Sequence, residues 1–227
     1  MIQVVTVFDA IHDNIGHMPP GRAAGYSTGA GSHIRWTPAD WASHPGAVRI
    51  DQDAIASDPT ADVLDVEAGA ATTASAPGWV MRAAACYSGA RRPGQRRPAI
   101  YMSRSRVTEV VNALTRAGIT SGAGLWVADW GMTQAQAITE VQAAAGPFPV
   151  IAVQHANLGT FDESVFSLPW LQDVSAAPAA GMRITVPPPG TWKDGALVTV
   201  IGPGPEGKTA WVTTTSDGKN WTAPAPL

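Results

Sequence analysis

A chain of 227 residues with a formal net charge of -3 and one cysteine has room for one sizeable domain and a small appendage. That charge gives no broad positive field for a nucleic-acid backbone, and the lone Cys86 excludes an intrachain disulfide or a cysteine-based zinc site. The longest apolar runs, such as PVIAV, fall short of the roughly 20 residues that cross a bilayer, and no basic segment leads into an apolar stretch near Met1, so the expectation is a soluble protein with no visible export signal.

In chain order, β-like runs occur at QVVTVFD, AAGYS, AVRIDQ, ADVLDVE, PAIYMS, GLWVADW and PVIAVQHA, each rich in β-branched or aromatic residues and closed by a polar or glycine signal. Between the first two lies AIHDNIGHMPPG, a loop by its glycine and prolines. TPADWASH reads as a short helix, with Trp36 and Trp41 read as one packed and one partly exposed. PGWVMRAAACYSG is a second helix, in which Cys86 reads as a packed thiol. RRPGQRRP reads as a solvated loop. SRVTEVVNALTRAG sets Val107, Val110, Val111 and Leu114 on one face and stops at Gly118, and TQAQAITEVQAAAG runs from Thr133 to Gly146.

Alternating strands and helices predict a parallel sheet with crossover helices, and seven such strands favour a barrel over an open sheet. The early half has only one helix, so the expected class is α/β: an irregular or incomplete parallel β/α (TIM-like) barrel with a small C-terminal β appendage. Composition changes after about Ser175, predicting a barrel over 1–175, a Pro-rich linker over 176–190 and a β-hairpin tail over 191–227, which holds all three lysines and an Asp-Gly turn at SDGKN.

The chemistry-bearing residues cluster at strand ends. In ADVLDVE, Asp65 and Glu67 are two apart, so they share a strand face, about 6.6 Å apart along the chain. They sit at the C-terminal end of the strand, where parallel barrels carry active sites. Asp9, Asp51, Gln52, Tyr101, Asp129, Trp130, Gln154 and His155 fall at or near the same ends of their runs. Carboxyls beside aromatic residues suit glycosidic bond cleavage, with Glu67 as general acid and Asp65 as the ionised partner that raises its proton affinity. The competing reading is that these acids cap loops or accept backbone hydrogen bonds.

In order, FDA, VLDVE, AIYMS, LWVADW, VIAVQ and FDESVF resemble the landmarks of the family 25 glycoside hydrolases, the lysozyme-like muramidases of phages and actinobacteria. The likeness covers roughly residues 3–170. It is closest to shortened members, in which segments like AGYSTGAGSHIRWTPADW and RIDQ precede the Asp-x-Glu. The resemblance implies an irregular β/α barrel that cuts β-1,4 bonds of peptidoglycan, with Glu67 as proton donor, Asp65 as the other acid of the Asp-x-Glu, and Asp9 and Asp162 as further acids. Tyr26, Asp51, Tyr101, Trp126, Asp129, Trp130 and Gln154 are the expected substrate-binding residues. No metal or organic cofactor is implied. The expected partner is a cell-wall glycan, with neither nucleic acid nor membrane, reached from a phage virion or from the cytoplasm at lysis. The alternative expectation is a catalytically inactive tail or virion protein that keeps the barrel as a structural or glycan-binding module and meets other subunits through its tail.

Overall fold

The computed structural model describes residues 2–29, 33–53, 58, 60–88, 92 and 94–173, together with the strand residues 183–184, 198–203, 210–215 and 225–226. The chain divides into two compact units, one formed by 1–87 with 92–175 and the other by 88–91 with 176–227.

The larger unit is a closed eight-stranded barrel in sequential order. Its strands are β1 (Val4–Asp9), β2 (Arg22–Tyr26), β3 (Val48–Asp51), β4 (Val63–Asp65), β5 (Ala99–Ser103), β6 (Gly124–Ala128), β7 (Val150–Asn157) and β8 (Asp162–Ser167). Neighbours from β1 to β7 are parallel. β8 is antiparallel to both β7 and β1, so the barrel is mixed rather than wholly parallel. DESV, which follows the seven β-like runs of the sequence, opens this eighth strand. The four residues 158–161 leave room only for a hairpin connection, and a hairpin reverses direction.

Side-chain alternation sorts the strands into an inner and an outer face. Val7, Ala24, Ile50, Val63, Ala99, Trp126, Ala152 and Phe166, one or more from every strand, form a single buried cluster, which only the barrel interior can assemble. The opposite parity, Leu64, Ile100, Met102, Leu125 and Val127, packs outward. Two helices cover that outer layer: α2 (Ala76–Ser88), through Trp79, Val80 and Ala83, and α3 (Val107–Arg116), through Val110 and Leu114. Full burial of a valine or leucine such as Val110 or Leu114 contributes roughly 1.5–3 kcal/mol. Val153 and Val165 are covered by Ala137 and Val141 of α4 (Gln134–Ala143). Among the described residues, only the short α1 (Pro38–Ser43) lies between β2 and β3 and only a 3-10 turn over His12–His17 between β1 and β2, so strands and helices alternate irregularly.

Local chemistry explains the helix starts. Thr37 with Asp40, and Thr133 with Gln136, each form reciprocal capping boxes at α1 and α4, worth about 1 kcal/mol apiece. Gly25 is required by packing: a Cβ there would lie 2.0 Å from the Trp36 ring, which covers the outside of β2 and donates its indole N–H to Ala10 O.

One end of the barrel is closed. α5 (Leu168–Gln172) follows β8 and buries Trp170 and Leu171 in the interior cluster, with the Trp170 ring 5.8 Å from Phe166. At this end Asp62, wholly buried, accepts from the guanidinium groups of Arg92 and Arg96 and from the backbone N–H groups of Arg49 and Arg96. RRPGQRRP is therefore not simply a solvated loop, because Arg96 is buried as the counter-charge of Asp62 and also donates to the carbonyls of Gly46 and Leu171. The opposite end carries the acids.

In the smaller unit β9 (Arg183–Ile184), β10 (Val198–Pro203), β11 (Ala210–Thr215) and β12 (Ala225–Pro226) form an antiparallel sheet in the order β12-β11-β10-β9. β9 lies within the stretch read as a linker. The SDGKN turn, Trp192 and Trp221 lie outside the described residues. Among the described residues, no helix is long and apolar enough to cross a membrane.

Candidate active site

The carboxyls of Asp9, Asp65, Glu67 and Asp162 come together at the C-terminal ends of the parallel strands. Asp9 ends β1 on the inward parity of Val7, and Asp162 opens antiparallel β8 directly opposite it. Asp65 ends β4 on the inward parity of Val63 and pairs in register with Tyr101 of β5. Glu67 follows two residues later. Asp9 and Asp65 are only 3% exposed, whereas Glu67 and Asp162 are half-buried and reachable from outside.

Burial of like charges makes these groups hold protons. Burial first, then Asp162, pushes Asp9 up to about 8, against the opposing pull of a hydrogen bond from Gln154. Burial, with Glu67 adding to it, brings Asp65 to about 7 despite a hydrogen bond from Gln52. Asp162 rises to about 6 through burial and the Glu67 charge. Glu67 is raised by burial, with Arg106 and a hydrogen bond from Tyr101 pulling the other way. Near pH 7 Asp65 is therefore close to its midpoint, because it lies in the barrel interior.

Two glutamines and two aromatic residues hold the acids. Gln52 Nε2 donates to Asp65 Oδ2 at 3.1 Å, while Asp65 Oδ1 is buried with no hydrogen-bond partner. Gln154 Nε2 donates to Asp9 Oδ1 at 3.3 Å. Its Oε1 accepts from the Tyr101 hydroxyl at 2.8 Å and from the Trp130 indole N–H at 3.1 Å. Trp130 is 61% exposed, so a large aromatic face stands at the mouth of the cluster. Tyr26, inward at the end of β2, lies against Asp9 and Asp65, and its hydroxyl is held protonated by burial and by these acids.

Three expected substrate-binding residues do not face this cluster. Asp51 follows inward-facing Ile50, so it points outward, where it accepts from Trp79 Nε1 at 2.8 Å, from Thr28 Oγ1 and from the Asp53 N–H. Asp129 follows inward-facing Ala128 and turns out to Arg104, 3.0 Å away, which also pairs with Glu140. Trp126 faces inward but is wholly buried; it donates to Ser164 Oγ and packs edge-on against Tyr101 and Phe166, forming the floor beneath the acids. Strand parity and barrel depth, not position near a strand end, decide each case.

Comparison with family models, curated proteins and solved structures returns no match.

Gln52, read from the sequence with Asp51 as ending AVRIDQ, lies two residues after Ile50 on the same strand face and turns inward to Asp65. Among the described residues no group of three or more His, Cys, Asp or Glu side chains is arranged to hold a metal ion. Two cavities, of about 830 and 470 Å3, lie at the other end of the barrel, beside Arg22, Arg96 and Leu171 and beside Gly124, Val150 and Trp170. They touch none of the four acids.

Proposed function

We propose that the barrel is a glycan-directed, muramidase-like hydrolase, cutting β-1,4 bonds of peptidoglycan with Glu67 as general acid and Asp65 as partner carboxylate. The observation that carries this reading is the cluster of four carboxyls, all raised by burial, with Asp9 at about 8 and Asp65 at about 7, beside the exposed Trp130. A glycosidase needs one carboxyl that is still protonated at working pH and a second that is ionised nearby.

Glu67 suits the donor role because it is half-buried, within reach of a leaving oxygen, and raised by burial. With Glu67 neutral, one of the two causes that raise Asp65 is removed, leaving burial to oppose its ionisation against the hydrogen bond from Gln52. Asp65 Oδ1, without a partner, is placed to accept a donor from the substrate or to face positive charge on the sugar ring. Trp130 offers a face on which a pyranose ring can stack.

A second reading, a glycan-binding or virion structural barrel without turnover, is favoured by a different observation. Asp9 and Asp65 are almost fully buried, and the two described cavities lie at the far end. Release of reducing ends from purified peptidoglycan separates the two, with Glu67→Gln as the control that keeps the shape of the site while removing its acid.

A further inference from the structure

Gln154 occupies an unusual place. It is 1% exposed, yet one of its partners, Trp130, is the most exposed of the large apolar side chains described, and another, Asp9, is among the most deeply buried acids. Its amide orientation is fixed by chemistry. An indole N–H can only donate, so the Gln154 atom 3.1 Å from Trp130 Nε1 must be the carbonyl oxygen. The Tyr101 hydroxyl, 2.8 Å from the same oxygen, fills its second lone pair. The amide nitrogen is thereby left to face Asp9 Oδ1, at 3.3 Å.

We propose that Gln154 is a positioning residue that couples the exposed Trp130 indole at the mouth of the site to the Asp9 carboxyl inside it. Two donors on an amide oxygen polarise the amide and make its N–H groups better donors. Loss or displacement of the Trp130 hydrogen bond therefore weakens the Gln154 contact to Asp9, which favours the ionised form of that carboxyl. A sugar ring stacked on Trp130 shifts the indole and, through Gln154, changes how firmly Asp9 keeps its proton. Binding at the rim is thus reported to the acid cluster by side chains alone. The identity of the stacking ligand rests on the glycan reading above; the coupling of Trp130 to Asp9 does not.

Asp9 is faced by Asp162 from β8, by Asp65 and Glu67 from β4 and the residues after it, by Tyr26 from β2 and by Tyr101 from β5. A variant that tests the coupling must leave all of these in place, and Trp130→Phe does so by keeping the aromatic face and removing only the N–H.

The experiment follows the Asp9 carboxyl carbon by NMR through a pH titration of the full chain, with Asp9→Asn assigning the signal. The coupling predicts that the Asp9 midpoint rises by about half a pH unit in Trp130→Phe, because a weakened donor stabilises the carboxylate less. Gln154→Met, which removes both donor and acceptor at similar volume, raises it further; if that variant does not fold, Trp130→Phe alone decides. An Asp9 midpoint unchanged or lowered in Trp130→Phe overturns the proposal. Triacetylchitotriose supplies the second arm. If it moves both the Trp130 indole N–H resonance and the Asp9 midpoint, the coupling is supported. If it moves the indole and leaves the Asp9 midpoint fixed, the coupling is overturned. If it leaves the indole resonance unmoved, the glycan reading is what fails, and the ligand-free comparison of wild type with Trp130→Phe still decides the coupling.

Discussion

Asp9 and Asp162 sit directly opposite each other across the β1–β8 pair, the only seam at which a parallel strand of the barrel meets an antiparallel one apart from β7–β8. The reversal of β8 is what brings a residue at the start of one strand beside a residue at the end of another. Like charges in this arrangement cannot both ionise freely.

Burial of these acids, with the pairing of Asp9 and Asp162 adding to it, sets the dependence of stability on pH. The folded-state values, about 8 for Asp9, about 7 for Asp65 and about 6 for Asp162, lie above the ordinary aspartate value of 3.8. Between these limits the folded chain binds more protons than the unfolded one. The stabilisation is full below the ordinary value and is lost as pH rises through the folded values, so stability falls from about pH 4 to about pH 8 and then levels. Asp9→Asn flattens the slope and is more stable than wild type at pH 8, by on the order of 1–3 kcal/mol. Urea unfolding at pH 5 and pH 8 measures it; a wild type that gains stability across this window contradicts the assignment.

At the closed end, Asp62 is the opposite case, a buried carboxylate fully supplied with donors. Asp62→Ala leaves Arg96 buried without its counter-charge and is expected to cost about 3–5 kcal/mol. The denaturant midpoint reports the loss, and a cost below about 1 kcal/mol is incompatible with the described network.

Trp130→Ala separates binding from folding. With the side chain 61% exposed, the change in stability stays within about 0.5 kcal/mol. Affinity for a chitooligosaccharide falls about tenfold, or ~1.4 kcal/mol, if the ring is a stacking platform. Titration calorimetry checks the affinity and thermal unfolding the stability.

Much of the barrel was legible in the sequence because β1 to β7 are marked by β-branched runs bounded by turn residues, and α1 and α4 by Thr-initiated caps. β8 was hidden: DESVFS opens with two acids, and its alternation, Ser164 and Phe166 inward with Val165 outward, spans only a few residues. The turn residues around Gly159 were the available sign of a hairpin. Parity was the other gap. Asp65 aligns with inward-facing Val63, but Asp51 aligns with Arg49 and Asp129 with Val127, both outward, so three acids at similar strand ends meet different surroundings. Depth within the barrel is a tertiary property, and no local pattern distinguishes Trp126, which forms the floor, from Trp130, which stands at the mouth.

The most direct test of the central claim is the release of reducing ends from purified peptidoglycan by wild type and by Glu67→Gln. Loss of a positioned general acid lowers such a rate by roughly 100-fold or more, so the expected result is measurable release by wild type and a drop of that size in a Glu67→Gln variant that unfolds at a similar midpoint. Equal release by the two proteins, or none by wild type on several actinobacterial walls, contradicts the assignment of Glu67 as the acid of a glycan hydrolase.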